Sequence, residues 1–220
     1  MPASHRPAAV VFDLDGTLVD TVGTRIDAWL AVFEEFEIRT DRAALEPMIG
    51  IDGRRLAREV AAAAGSPIVD EQAEEIDRRA GVLFDERNHD PRDLPGARDA
   101  LARLDRAGVT WAIATSSRAE QVAASLRALG LDHEPRVVDG SSVEHAKPAP
   151  DLLLLAARQL DVQSEECWYV GDSTWDMRAA RAAGMQAIGV LAGAAVGADA
   201  LREAGADLVL DDLDQLELPS

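Results

Sequence analysis

The chain has 220 residues, 47% of them hydrophobic, enough for one large domain or for a core domain carrying a smaller insert. Forty acidic residues against 22 basic ones give a net charge of −18. That is a poor match to nucleic acid or to an anionic membrane surface, whose binding rests on Lys and Arg neutralising phosphates.

A single cysteine, Cys167, excludes an intramolecular disulfide and fits a reducing compartment. The sequence shows no signal-like leader and no apolar run of transmembrane length, so the cytoplasm is the expected location. Lys147 is the only lysine among the 22 basic residues, which singles it out, because Arg and Lys are not interchangeable at a tight site.

In chain order, residues 10–12 (VVF) predict a buried strand that runs into two acids, Asp13 and Asp15, followed by Gly16 and Thr17. Carboxylates at that spacing repel unless a cation sits between them or one keeps its proton. From Asp20 the pattern turns helical, with Ile26, Trp29, Leu30 and Phe33 at i, i+3, i+4 and i+7 on one face. Residues 54–64, closed by Gly65, and residues 71–84 continue as helix. No strand signal falls between Asp20 and Asp90, and the block ends in the breaker-rich NHDPRDLPG.

Strands and helices then alternate. Helices are predicted over residues 96–107, 119–129, 151–160 and 174–183, and strands over 109–114, 135–138, 167–170, 187–190 and 207–210. Such spacing means βαβ units. The predicted fold is α/β: a doubly wound, mostly parallel sheet built from residues 1–19 and 91–220, with an all-helical domain, residues 20–90, inserted after the first strand.

In open parallel sheets ligands gather beyond the carboxyl ends of the strands. The sequence places Asp13 and Asp15 there, then Thr115, Ser116 and Ser117, then Lys147, then Asp172, Ser173 and Asp176. Acids beside hydroxyls and one ammonium describe a cation site next to an anion site. Mg²⁺ takes oxygen ligands, commonly one or two carboxylates plus a substrate phosphate, and Asp13 and Asp172 supply the carboxylates. Thr115, Ser116 and the Lys147 ammonium suit the oxygens of a phosphoryl group.

DLDGTLVD, AIATSS, AKPAPD and GDSTWD, in that order and strand context, resemble the four motifs of the haloacid dehalogenase-like (HAD) hydrolases with a helical (C1) cap, and in particular the phosphoglycolate phosphatases among them. The resemblance spans essentially the whole chain. It implies a Rossmann-like core, with Asp13 as the nucleophile that forms an aspartyl-phosphate and also binds Mg²⁺. Asp15 would protonate the leaving alcohol and deprotonate the attacking water, its backbone carbonyl touching the metal. Thr115 and Lys147 would hold phosphoryl oxygens, Lys147 also orienting Asp13. Asp172 would complete the metal's protein ligands, while Asp176, with Ser173 beside it, would order the ion's waters or Lys147. Burial beside like charge is expected to raise the Asp15 pKa, as a general acid requires.

The implied activity is Mg²⁺-dependent hydrolysis of a phosphomonoester of a small metabolite, phosphoglycolate and sugar phosphates being the candidates. Asp15 argues against a dehalogenase, and the lack of a lysine in the helical block closes the Schiff-base route of a phosphonatase. A β-phosphoglucomutase-like phosphoryl transferase is the alternative within the family, although such mutases carry a histidine where this chain has Arg25. A catalytically idle binding or regulatory module is the alternative of another class. For substrate recognition the helical block offers Arg54 and Arg55 at a loop-to-helix turn, and Arg25; a solvated, charge-rich helix start explains the first two equally well. Trp175 is expected to pack, and His5, His89, His133 and His145 lack ligand spacing and read as structural or surface residues. A monomer or weak homodimer is expected, with neither nucleic acid nor membrane as a partner.

Overall fold

A computed structural model describes residues 6–219; the expectation for His5 lies outside the described residues. β1 (Ala9–Phe12) is followed by the two-residue strand β2 (Val19–Asp20) and then by four helices: α1 (Val22–Glu35), α2 (Arg42–Leu45), α3 (Gly53–Ala63) and α4 (Asp70–Arg87). β3 (Arg92–Asp93) leads back, after which α5 (Ala97–Ala107), β4 (Thr110–Ala114), α6 (Ala123–Ala128), β5 (Val137–Val138) and α7 (Asp151–Leu160) alternate. β6 (Cys167–Gly171), α8 (Thr174–Ala183), β7 (Gln186–Val190), α9 (Ala198–Glu203) and β8 (Leu208–Leu210) complete the chain.

Six strands form one sheet in the order β5-β4-β1-β6-β7-β8, every neighbouring pair parallel. The winding reverses at β1, and a crevice opens beyond the strand ends at such a reversal. Alternation along the strands divides the core into two layers. β1 sends Val10 and Phe12 to one layer and Ala9 and Val11 to the other. β4 splits Trp111 and Ile113 from Ala112 and Ala114 in the same way, and β6 splits Trp168 and Val170 from Cys167 and Tyr169. Leu101 and Leu104 of α5 cover the first layer; Leu152 and Leu153 of α7 and Met177 and Ala180 of α8 cover the second. Burying each large aliphatic side chain contributes about 1.5–3 kcal/mol, so both layers are needed to hold strands that lack a polar face.

The helical block has its own apolar cluster. Ile26, Trp29 and Phe33 of α1 meet Leu56 and Val60 of α3 and Ile76 and Phe84 of α4, and the Trp29 and Phe33 rings stack with centroids 5.5 Å apart. The chain enters and leaves this block through β2 and β3, an antiparallel pair with Val19 opposite Asp93 and Asp20 opposite Arg92. The predicted helix at 119–129 is divided: Ala119–Gln121 is a 3-10 turn closed by the Gln121 N–H donating to the Arg118 carbonyl, and α6 follows it. No helix among the described residues is long and apolar enough to cross a membrane.

Candidate active site

Asp13 leaves β1 with its backbone N–H still donating to the Val170 carbonyl at 2.8 Å, so the sheet fixes where its carboxylate stands. Lys147, 1% exposed, ion-pairs with Asp13 Oδ1 and reaches Asp176 Oδ1 at 2.8 Å. Burial alone would strip the proton from this amine, but Asp13 and Asp176 outweigh it and hold Lys147 charged, its pKa above the ordinary lysine value. Burial pushes the Asp13 pKa up to about 7, with Lys147 opposing and Asp176 and Asp15 adding to the rise. Asp172, at the end of β6, lies well above the usual carboxylate range because it is buried and faces Asp176 and Asp13.

Asp176 is saturated. Besides Lys147 it accepts from the Tyr169 hydroxyl at 2.9 Å, the Ser173 N–H at 3.0 Å and the Ser173 hydroxyl at 2.6 Å. Ser173 is the N-cap of α8 and Asp176 its reciprocal partner, so a capping box also aims a carboxylate at the ammonium. Thr17 Oγ1 donates to Asp172 Oδ1 at 3.0 Å. Gly16, at φ +82°, passes so close that a Cβ there would stand 2.3 Å from Asp172 Oδ2.

Oxygens of Asp13, Asp172 and Asp176 lie within 4.8 Å of one another. An all-oxygen set of buried, mutually repelling carboxylates fits a hard divalent cation. With Asp176 committed to four donors, Asp13 and Asp172 are the two whose charge a cation would relieve.

Asp15 departs from expectation. Its Oδ1 accepts from Thr21 Oγ1 at 2.7 Å, and its Oδ2 accepts from Arg25 Nη2 at 2.9 Å and Ser117 Oγ at 2.5 Å. Burial favours the protonated acid, but Arg25 and the hydrogen bonds from Ser117, Thr21 and Arg25 outweigh it, so the pKa is lowered rather than raised. The sequence reading weighed the neighbouring acid and missed this cation, which arrives from α1. Arg25 Nη2 also lies 2.8 Å from Ser117 Oγ, and its guanidinium carbon sits 3.8 Å from the centre of the Phe84 ring.

Thr115, buried at the end of β4, accepts the Ser117 N–H on its hydroxyl at 3.1 Å. The Ser116 hydroxyl donates instead to the Gly50 carbonyl at 3.1 Å, a bond from the sheet to the helical block. The two arginines of the loop-to-helix turn part company. Arg54 lines the cleft, paired with Asp52 at 3.2 Å, whereas Arg55 pairs with Glu59 at 2.5 Å and lies over the Trp175 ring. Trp175 packs with the helical-block cluster and donates its indole N–H to the Pro47 carbonyl at 2.9 Å, as its packing role predicts. His89, His133 and His145 are exposed, the last two 3.6 Å from Asp105 and Asp151 respectively.

Thr17, Thr21 and Arg118 take part in the site although no role was assigned to them from sequence, and Ser117, placed at the strand end from sequence, serves Asp15; Thr17, Thr21 and Ser117 lie within or beside the quoted motifs. The cleft encloses about 350 Å³ and is lined by Asp13, Thr115, Lys147 and Asp172 together with residues of α3, α4 and the turn after β4.

A family model for haloacid dehalogenase-like hydrolases matches residues 10–190. The probable phosphatase IndB of Dickeya dadantii is 32% identical over 94% of this chain and 90% of its own length. The phosphoglycolate phosphatase of Xanthomonas campestris pv. campestris is 33% identical over 97% of this chain and 96% of its own. A crystal structure of a hydrolase from Pseudomonas syringae superposes with a TM-score of 0.89 at 33% identity, covering 93% of this chain and 94% of that one. With the motifs in register on a matching sheet, the chain belongs to the haloacid dehalogenase-like hydrolase family.

Proposed function

We propose that this enzyme is a Mg²⁺-dependent phosphatase that hydrolyses the phosphomonoester of a small metabolite, the helical block acting as a cap over the cleft. The observation that carries the reading is the Lys147 ammonium clamped between Asp13 and Asp176 beside Asp172, a fixed positive charge next to a cation site. The names of the phosphatase relatives support the same reaction class.

In the proposed reaction an Asp13 carboxylate oxygen attacks phosphorus, the bond to the substrate's alcohol oxygen breaks, and Asp15 supplies that oxygen with a proton. A water then attacks the phosphorus of the aspartyl-phosphate, Asp15 takes its proton, and inorganic phosphate leaves with Asp13 restored. Lys147 orients Asp13 and, with the Thr115 hydroxyl, faces the equatorial phosphoryl oxygens on which charge is spread. A divalent ion held by Asp13, Asp172 and the Asp15 backbone carbonyl would supply further neutralisation of those oxygens. Arg25 favours ionised Asp15, the form that the water-activating half needs; loosening that pair readies Asp15 to carry the proton of the first half. Closure of the cap keeps bulk water from the first step.

A mutase reading is not favoured, because Arg25 is committed to Asp15 and Ser117 and the helical block has no lysine. The test is turnover of p-nitrophenyl phosphate with and without Mg²⁺, with Asp13→Asn as the control. Metal-dependent turnover lost in Asp13→Asn is the expected result. No turnover of this ester or of a broad phosphomonoester panel would leave the idle binding module as the answer.

A further inference from the structure

Besides the strand-end residues, the cleft is lined by four carboxylates, Asp52, Glu74, Asp77 and Glu144, and by two guanidiniums, Arg54 and Arg118. Arg118 Nη2 donates to Glu74 Oε1 at 2.8 Å and to Asp77 Oδ2 at 2.5 Å, joining the turn after β4 to α4. Arg54 pairs with Asp52 at 3.2 Å, and its Nε lies 3.9 Å from Glu74. Arg25, the remaining guanidinium that lines the cleft, is engaged by Asp15 at 2.9 Å. Among the described residues, every arginine facing the substrate space is therefore already matched to a carboxylate, and these four acids and two guanidiniums leave a formal excess of two negative charges.

We infer that the alcohol portion of the preferred substrate is an uncharged, hydroxyl-bearing chain, a sugar or polyol monophosphate, and not a carboxylate or a second phosphate. This rests on the phosphatase reading above and narrows its substrate. An incoming anion uses donors only, finds no unmatched cation, and meets Asp52, Glu74 and Asp77 at close range. An ammonium uses acceptors only and must share them with Arg54 and Arg118. A hydroxyl both donates and accepts, and adjoining carboxylate oxygens and guanidinium N–H groups are its complement. Leu56 and Trp29 give the same space an apolar wall for a carbon chain. The whole cleft, the phosphoryl position included, encloses about 350 Å³, more than a two-carbon phosphate ester fills.

The experiment is kcat/KM of the full chain with Mg²⁺ for sorbitol 6-phosphate, fructose 1-phosphate, 2-phosphoglycolate, fructose 1,6-bisphosphate, phosphoethanolamine and p-nitrophenyl phosphate. The two neutral hydroxylated esters are expected to exceed the carboxylate, bisphosphate and amine esters by about tenfold or more. Equal or faster turnover of 2-phosphoglycolate, the bisphosphate or phosphoethanolamine overturns the inference, while turnover of p-nitrophenyl phosphate in the same assay leaves the phosphatase reading standing. Absence of turnover on all six overturns both together. Glu74→Gln and Asp77→Asn keep the shape and remove a charge, so each is expected to narrow the sorbitol 6-phosphate to 2-phosphoglycolate ratio several-fold; a ratio unmoved in both variants also overturns the inference.

Discussion

Lys147 Nζ stands 2.8 Å from Asp176 Oδ1 with each side chain 1% exposed, so the only lysine of the chain is buried between two acids. A cation in that setting is held only by its partners, and they by it.

Lys147→Met is accordingly expected to cost about 3–5 kcal/mol of stability, because Asp13 and Asp176 would be left buried and unpaired. Activity should fall at least about a hundredfold with it. Urea denaturation and steady-state kinetics check the two losses. Asp176→Asn, which keeps one acceptor oxygen and so can serve either Tyr169 or Ser173, is expected to destabilise less than Lys147→Met.

Arg25→Met removes the leading influence that keeps the Asp15 pKa low. A depressed carboxylate stabilises the folded state fully above its unfolded pKa, and that contribution is lost as pH falls through the folded value. The variant should therefore be less stable than wild type by about 2–3 kcal/mol at pH 7, and the gap should shrink as the solution is acidified. Paired denaturation curves across the acid range decide it; a gap that widens in acid would refute the assignment.

Mg²⁺ is expected to raise the melting temperature of the protein, since Asp13 and Asp172 repel in its absence and binding to the folded state alone stabilises it by about 2.7 kcal/mol at a hundredfold excess over Kd. EDTA should reverse the shift and abolish turnover. Asp172→Asn should melt higher than wild type without metal and respond less to Mg²⁺, in a calorimetric scan that needs no substrate.

Gly16→Ala places a methyl carbon 2.3 Å from Asp172 Oδ2 at a residue whose φ is +82°. Backbone strain of about 1–3 kcal/mol and displacement of the Asp172 carboxylate are expected together. Activity should fall by at least about a hundredfold, and the response of the melting temperature to Mg²⁺ should weaken in parallel.

Cys167 is fully buried, and burial raises its thiol pKa to about 11. At pH 8 the thiol is therefore almost wholly protonated and unreactive. A colorimetric thiol reagent should label it only in denaturant; rapid labelling of the folded enzyme at pH 8 would contradict the packing of β6.

The sheet was legible in the sequence because buried parallel strands are apolar runs bounded by glycines and acids; the ranges predicted for α7 and α8 coincide with the observed ones. The strand-end residues were legible for the same reason, since a carboxylate directly after VVF, or one glycine beyond CWYV, has nowhere to go but the crevice. Short elements were not. β2 and β3 have two residues each, too few for any period to show, and α2 and α9 have four and six. Contacts between distant segments were equally hidden: nothing in the local pattern says that Arg25 reaches Asp15, that Ser116 bonds to Gly50, or that Arg55 turns away while Arg54 faces the cleft. Those depend on how the helical block sits on the sheet, which no window of consecutive residues records.

The antiparallel pairing of Val19 with Asp93 and Asp20 with Arg92 makes the two crossings into the helical block immediate neighbours. Everything between them hangs from one paired stem, which holds the two ends of the segment together. Changes of length or sequence in that segment leave the register of β1 against β4 and β6 untouched. The paired stem thus anchors the helical block beside the catalytic strand end, where Arg25 of α1 reaches Asp15.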